Sequence, residues 1–218
     1  MLIGHYAPAL VLQRARPSVK LWQLFVATQL VDVLWAAFVL GGIEHARIVP
    51  GFTASNDLDL WDMPYTHSLV GTVAWAALAL VVSWFVRREP TRTGDALVIA
   101  AAVASHFVAD LVVHVPDLPV TLGGATKLGF GLWRARPVAL VVEVGAFAAA
   151  AWWWWWPRRT NPGAPVAGAV LLGLTALAAV TFYIPTPPSP AAMALTGLAT
   201  YAVMAVLAGW IDHRSAPA

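Results

Sequence analysis

The sequence predicts an all-α membrane protein: a polytopic bundle of about six transmembrane helices, with a short N-terminal helix that reaches partway into the bilayer. Two observations carry this reading. Of the 218 residues, 60% are hydrophobic and 11% charged, against about 25% charged in soluble domains. Six long apolar segments, at 19–40, 65–86, 95–115, 138–156, 165–184 and 190–211, hold no Lys or Arg in their interiors and are separated by Pro- and Gly-rich breaks. The chain reads as a single integral membrane domain over 1–218, with 1–157 bearing the polar residues and 158–218 serving as packing helices.

Each segment has its own justification. Leu2–Leu12 is apolar but too short to span, and it runs into the basic turn containing Arg14, Arg16 and Lys20. Because the basic residues follow the apolar stretch, a cleavable signal peptide is not expected. A half-membrane helix over 2–13 and a helix lying on the membrane surface are both compatible with that pattern. The first full span, 19–40, carries Asp32 and ends at Gly41-Gly42. The second opens with Thr66-His67-Ser68, where Thr66 reads as a helix N-cap, and closes on Arg87-Arg88. The third contains His106, Asp110 and His114 at spacings of four, which puts them on one helical face. The fourth carries Glu143 and ends in Trp152–Trp156, an aromatic belt before Pro157-Arg158-Arg159. Between 164 and 211 there is no His, Asp, Glu, Lys or Arg, and small residues predominate, which suits close helix packing.

Basic residues orient the bundle. With six spans, Arg14, Arg16, Lys20, Arg87, Arg88, Arg92, Arg158, Arg159 and Arg214 fall on one side; Arg47, Lys127, Arg134 and Arg136 fall on the other. Nine against four predicts cytoplasmic termini, in the inner (plasma) membrane. The net charge of +2 and its confinement to short loops give no nucleic-acid surface, and zero cysteines exclude disulfides and thiolate metal sites.

Counting residues along each span brings Asp32, His67, His106, Asp110, His114 and Glu143 to one layer in the outer half of the bilayer. His5, nine residues before Arg14, reaches a similar depth if the N-terminal helix inserts. Three carboxylates in that layer have no Lys or Arg to offset them. Buried ionised carboxylates are costly, so each must protonate, reach water, meet an imidazolium or bind a cation. One or two divalent ions would satisfy the carboxylates and use neutral imidazoles as co-ligands. Mixed His and Asp/Glu ligation suits zinc, with manganese or iron as alternatives. The 41–64 loop, with Glu44, His45, Arg47, Asp57, Asp59 and Asp62, reads as a solvated connection or an acidic rim.

An early His5, Asp32 in the first span, Asp62-Met63-Pro64-Tyr65-Thr66-His67-Ser68-Leu69 and Ser105-His106-Phe107-Val108-Ala109-Asp110 together resemble the bacterial family of putative membrane-bound metal-dependent hydrolases. The resemblance covers about residues 1–117 and implies His5, Asp32, His67, His106 and Asp110 as the metal-binding set. Two departures stand out. Asp32 lies between Val31 and Val33 instead of in a Pro-Asp-x-Asp signature, and Asp-Met-Pro-Tyr replaces the His-Arg-Gly before Thr-His-Ser.

The expected activity is hydrolysis of a phosphoester or other ester in an amphipathic, lipid-like substrate, at a site opening to the outer face. Asp110 and Glu143 are the expected catalytic carboxylates, Glu143 as an outer ligand or general base. Arg134, Arg136 and His114 are candidates for receiving a headgroup. Membrane lipids are the expected surroundings. The competing expectation is a transporter or proton-coupled carrier using the same cluster, whose marks would be inverted repeats or helices broken near mid-membrane. A haem protein with two histidines as axial ligands is a third.

Overall fold

In the computed structural model, which describes residues 3–215, the chain folds into eight α-helices with two short antiparallel β-ladders in its loops. The helices are α1 Tyr6–Ala15, α2 Leu21–Thr28, α3 Leu30–Leu40, α4 Leu69–Val86, α5 Arg92–Val113, α6 Arg136–Trp155, α7 Ala164–Thr181 and α8 Pro190–Arg214. Five helical segments, the third being α6 extended by a 3₁₀ turn to Arg158, are long and apolar enough to cross a membrane; counting the bent pair α2–α3 as one span gives six. The fold is therefore that of a multi-pass membrane bundle, as its apolar runs require.

The first apolar run differs from expectation. It is not one helix: α2 and α3 meet at Gln29, where the axis turns by 49°. Gln29 adopts φ −104 and ψ 4, outside the helical range. Composition hides the break, since the run is apolar on both sides of it.

Helix ends follow local chemistry. Ser68, not Thr66, caps α4, its hydroxyl accepting the Gly71 amide at 2.9 Å. Ser189 caps α8 in the same way, with Pro190 in the first turn. α5 begins with buried Asp95, bound by Arg16 at 2.8 Å and Ser18 at 2.6 Å. A side chain on Gly71 would fall on the Tyr65 carbonyl, so α4 lies directly over the Pro64–Ser68 turn.

α1 packs among α2, α5 and α6, α8 against α2 and α3, and α4 along α5. The main core joins Tyr6, Leu10, Leu24, Phe25, Phe147 and Trp154. A second, around Trp35, Leu60, Met63 and Leu118, lies beneath the ladder formed by β1 His45–Ile48 and β2 Leu58–Asp62. A helix, α1, overlaps the expected 2–13, starting at Tyr6 and running to Ala15; residue 2 lies outside the described residues. Asp212, on the last turn of α8, binds the Leu21 amide at 3.1 Å and Gln13 at 3.5 Å. These bonds tie the ends of α1 and α8 to the start of α2.

Candidate metal centre

Two helices, α3 and α5, and the residues leading into α1 and α4 deliver ionisable side chains to a single buried cluster. His5 comes from the residue before α1, Asp32 from the first turn of α3, His67 from the turn before α4, and His106 and Asp110 from successive turns of α5. His114 follows at the end of α5. His5, His67, His106, Asp110 and His114 are all at most 3% exposed, while Asp32 is 16% exposed toward a cavity.

At its centre, four atoms of alternating type form a ring. His106 Nε2 lies 3.1 Å from Asp110 Oδ2 and 3.5 Å from Asp32 Oδ1. His67 Nε2 lies 3.2 Å from Asp32 Oδ1 and 3.7 Å from Asp110 Oδ2. The other Asp110 oxygen, Oδ1, faces His5 Nε2 at 3.1 Å and His114 Nε2 at 3.4 Å. Asp110 thus has imidazole nitrogens around both oxygens. The His5 ring stacks on His106 with centroids 4.0 Å apart.

The opposite edge of each α5 and α4 imidazole is engaged. His106 Nδ1 donates to the Thr28 carbonyl at 2.8 Å, a group at the end of α2 where the helix breaks. His114 Nδ1 faces Asp117 at 2.9 Å, and His67 Nδ1 faces the Thr66 hydroxyl at 2.9 Å. With Nδ1 donating to a carbonyl, the second nitrogen of His106 carries a lone pair when the ring is neutral. That Nε2 is buried, 3.1 Å from Asp110 Oδ2 and 3.5 Å from Asp32 Oδ1. A lone pair held beside carboxylate oxygens is repulsive unless a cation or a proton lies between them. An imidazole whose second nitrogen is anchored by a carbonyl or carboxylate is also the usual arrangement of a metal ligand.

Two overlapping groups are able to hold a metal ion: His5, His106 and Asp110, and Asp32, His67 and His106. They share His106, whose single available nitrogen can ligate one ion only. Ligand atoms around an ion with bonds of about 2.1 Å lie roughly 3.0–3.5 Å apart, close to the 3.1–3.7 Å sides of the ring. The donor set therefore fits a divalent cation.

Tyr201 on α8 donates from its hydroxyl to Asp32 Oδ2 at 3.1 Å. The sequence marks that helix as packing alone, because its apolar stretch has no His, Asp, Glu, Lys or Arg and is rich in small residues. Glu44 was also missed. It lies in an acidic loop, yet it is 1% exposed and accepts bonds from the Tyr65 and Thr66 amides and the Thr66 hydroxyl.

The cluster floors a cavity of about 460 Å³, within the range of about 300–1,000 Å³ common for small-molecule sites. Asp32, His67, Asp110, His114 and Glu143 line one part of it; Leu174, Leu177, Phe182, Met193 and Met204 of the α7–α8 region line another. Glu143 is buried on the wall and accepts a bond from Trp133 Nε1 at 3.2 Å. It stands outside the two ligand groups. Neither Arg134 nor Arg136 lines the cavity; both are exposed, and Arg136 binds the Ala54 carbonyl. His45 is an exposed loop residue paired with Asp62 at 2.7 Å.

The chain matches no protein-family model, no curated protein and no solved structure.

Proposed function

We propose that the protein is a membrane-embedded metal-dependent hydrolase acting on a phosphoester or other ester of an amphipathic, lipid-like substrate. One observation carries the reading: three of the four residues in the ring of imidazole nitrogens and carboxylate oxygens, Asp32, His67 and Asp110, line a cavity whose α7–α8 wall is largely apolar. The likeness of the His5, Asp32, Thr66-His67-Ser68 and His106–Asp110 motifs to membrane-bound metal-dependent hydrolases supports it further.

Asp32, His67, His106 and Asp110 would hold the metal, with His5 on the second oxygen of Asp110. Zinc suits this donor set, and manganese or iron would also be accepted. Bound there, a divalent ion supplies Lewis acidity and makes water a nucleophile near neutral pH. The side chains do the rest. Tyr201 fixes the Asp32 carboxylate through its hydroxyl. Glu143, on the cavity wall, would take the proton of the attacking water. Leu174, Leu177 and Met204 would receive the hydrocarbon part of the substrate and exclude bulk water from the ester. The basic-residue count, nine against four, supports a site opening to the outer face of the inner membrane, with cytoplasmic termini and α1 reaching partway into the bilayer.

The test is an ester-substrate screen with the metal-loaded protein beside His106→Ala and Asp110→Ala. Hydrolysis of a chain-bearing ester, lost in both variants, is expected. A metal-loaded wild type inert toward phosphoesters and carboxylic esters alike would refute the reading.

A second reading has an observation of its own. The first span is broken at Gln29, three residues before Asp32. Helices broken near a buried carboxylate are a mark of ion-coupled carriers. On that reading, the same cluster would pass a cation or protons, and uptake of a cation into proteoliposomes would replace hydrolysis as the readout.

A further inference from the structure

The Glu44 carboxylate is buried in a loop that composition describes as solvated, and all its bonds run toward one ligand. Its Oε1 accepts two backbone amides, Tyr65 at 2.8 Å and Thr66 at 2.9 Å. Its Oε2 faces the Thr66 hydroxyl at 2.6 Å, and the same hydroxyl oxygen lies 2.9 Å from His67 Nδ1. A hydroxyl has one proton. Given to the carboxylate, it leaves the Thr66 oxygen only as an acceptor toward His67, so Nδ1 must carry the proton. In the neutral ring the other nitrogen, Nε2, then holds the lone pair, 3.2 Å from Asp32 Oδ1 and 3.7 Å from Asp110 Oδ2, and a cation between these atoms is what that tautomer serves; without one, Nε2 could meet Asp32 only as a donor.

We infer that Glu44, acting through Thr66, is a positioning residue that keeps the His67 proton on Nδ1 and turns the Nε2 lone pair into the metal centre. This rests on the reading of the cluster as a metal site. The direction of the relay is built into the loop. Two amide donors converge on Oε1, so a glutamine at position 44 must place its carbonyl there and its NH₂ toward Thr66. The amide would donate to the hydroxyl, the hydroxyl to Nδ1, and the His67 proton would move to Nε2. Glu44→Gln therefore reverses the relay while filling the same space.

The experiment is Zn²⁺ titration of the detergent-purified full chain by calorimetry, with ¹⁵N NMR of the histidine side chains. Glu44→Gln and Thr66→Val are expected to weaken Zn²⁺ binding by about 10–100-fold, the usual loss when an anchoring partner of a ligand is removed. Thr66→Ser keeps the hydroxyl and is expected to bind as wild type. In a His67→Ala background, Thr66→Val is expected to cause no further loss, which a merely structural role for Thr66 would not reproduce. The spectra are expected to show Nδ1 of His67 protonated in wild type and unprotonated in Glu44→Gln. A Glu44→Gln protein with wild-type affinity and a protonated Nδ1 would overturn the inference, as would equal losses from Thr66→Val with and without His67. A wild type that binds no Zn²⁺ would defeat the metal reading instead, and the Nδ1 signal would then decide the relay by itself.

Discussion

Asp110 has the most demanding position in the chain. It is 2% exposed, and its two oxygens have four imidazoles around them, His5 and His114 on one and His106 and His67 on the other. Removing its charge leaves those nitrogens facing one another, so Asp110→Ala should abolish metal binding and Asp110→Asn should weaken it severely; equilibrium dialysis against Zn²⁺ checks both. Tyr201→Phe is a milder change. It deletes one hydrogen bond to Asp32 and should reduce metal affinity about 10-fold, the low end for loss of a partner that orients a ligand. Unchanged affinity in a calorimetric titration would remove Tyr201 from the site. The i, i+4 spacing of His106, Asp110 and His114 made those residues legible in the sequence, because a helix brings such positions to one face. Glu44 and Tyr201 were not legible. One sits in an acidic loop and the other in an apolar run without charged residues, and only tertiary packing brings either to the cluster.

Among the helices, the spans were legible because twenty apolar residues in a row have few other uses. The break at Gln29 was not, since neither Thr28 nor Gln29 interrupts the hydrophobic pattern strongly. It has a consequence for the site: the last carbonyl of α2 serves His106, and Asp32 lies in the first turn of the new helix, three residues beyond Gln29. α7 and α8 carry no His or carboxylate in their apolar stretches, yet they wall the cavity. Placing a large side chain there, as in Ala178→Trp, should lower turnover of a long-chain ester at least 10-fold while leaving metal content at the wild-type level. Metal analysis beside an activity assay separates the two effects; equal turnover would show that the substrate does not use this wall. Gly71 tests the opposite end of the cluster. Gly71→Ala must lift α4 from the Tyr65 carbonyl, disturbing the turn that aims His67, and should lower the melting temperature together with metal affinity.

Polar chemistry concentrates in two parts of the helical bundle, besides the loop bonds of Glu44 and Asp62. One is the His/Asp cluster. The other is the terminal end, where Asp95, Asp212, Gln13 and Arg158 tie the loops together and Arg14, Arg158 and Arg159 lie over the rings of Trp153, Trp154 and Trp156. That end suits a membrane headgroup region. The cysteine-free chain makes its orientation simple to test. A lone cysteine at exposed Ala125 should react with an impermeant maleimide from outside intact spheroplasts, and one at exposed Thr160 only after they are opened. The reverse pattern would place the cavity on the cytoplasmic side. The most direct measurement is elemental analysis of the gently purified protein, wild type beside His106→Ala and Asp110→Ala. One or two equivalents of zinc, manganese or iron in wild type, lost in both variants, is the expected result. A wild type free of metal even after reloading would contradict the metal centre and leave the buried ring to protons.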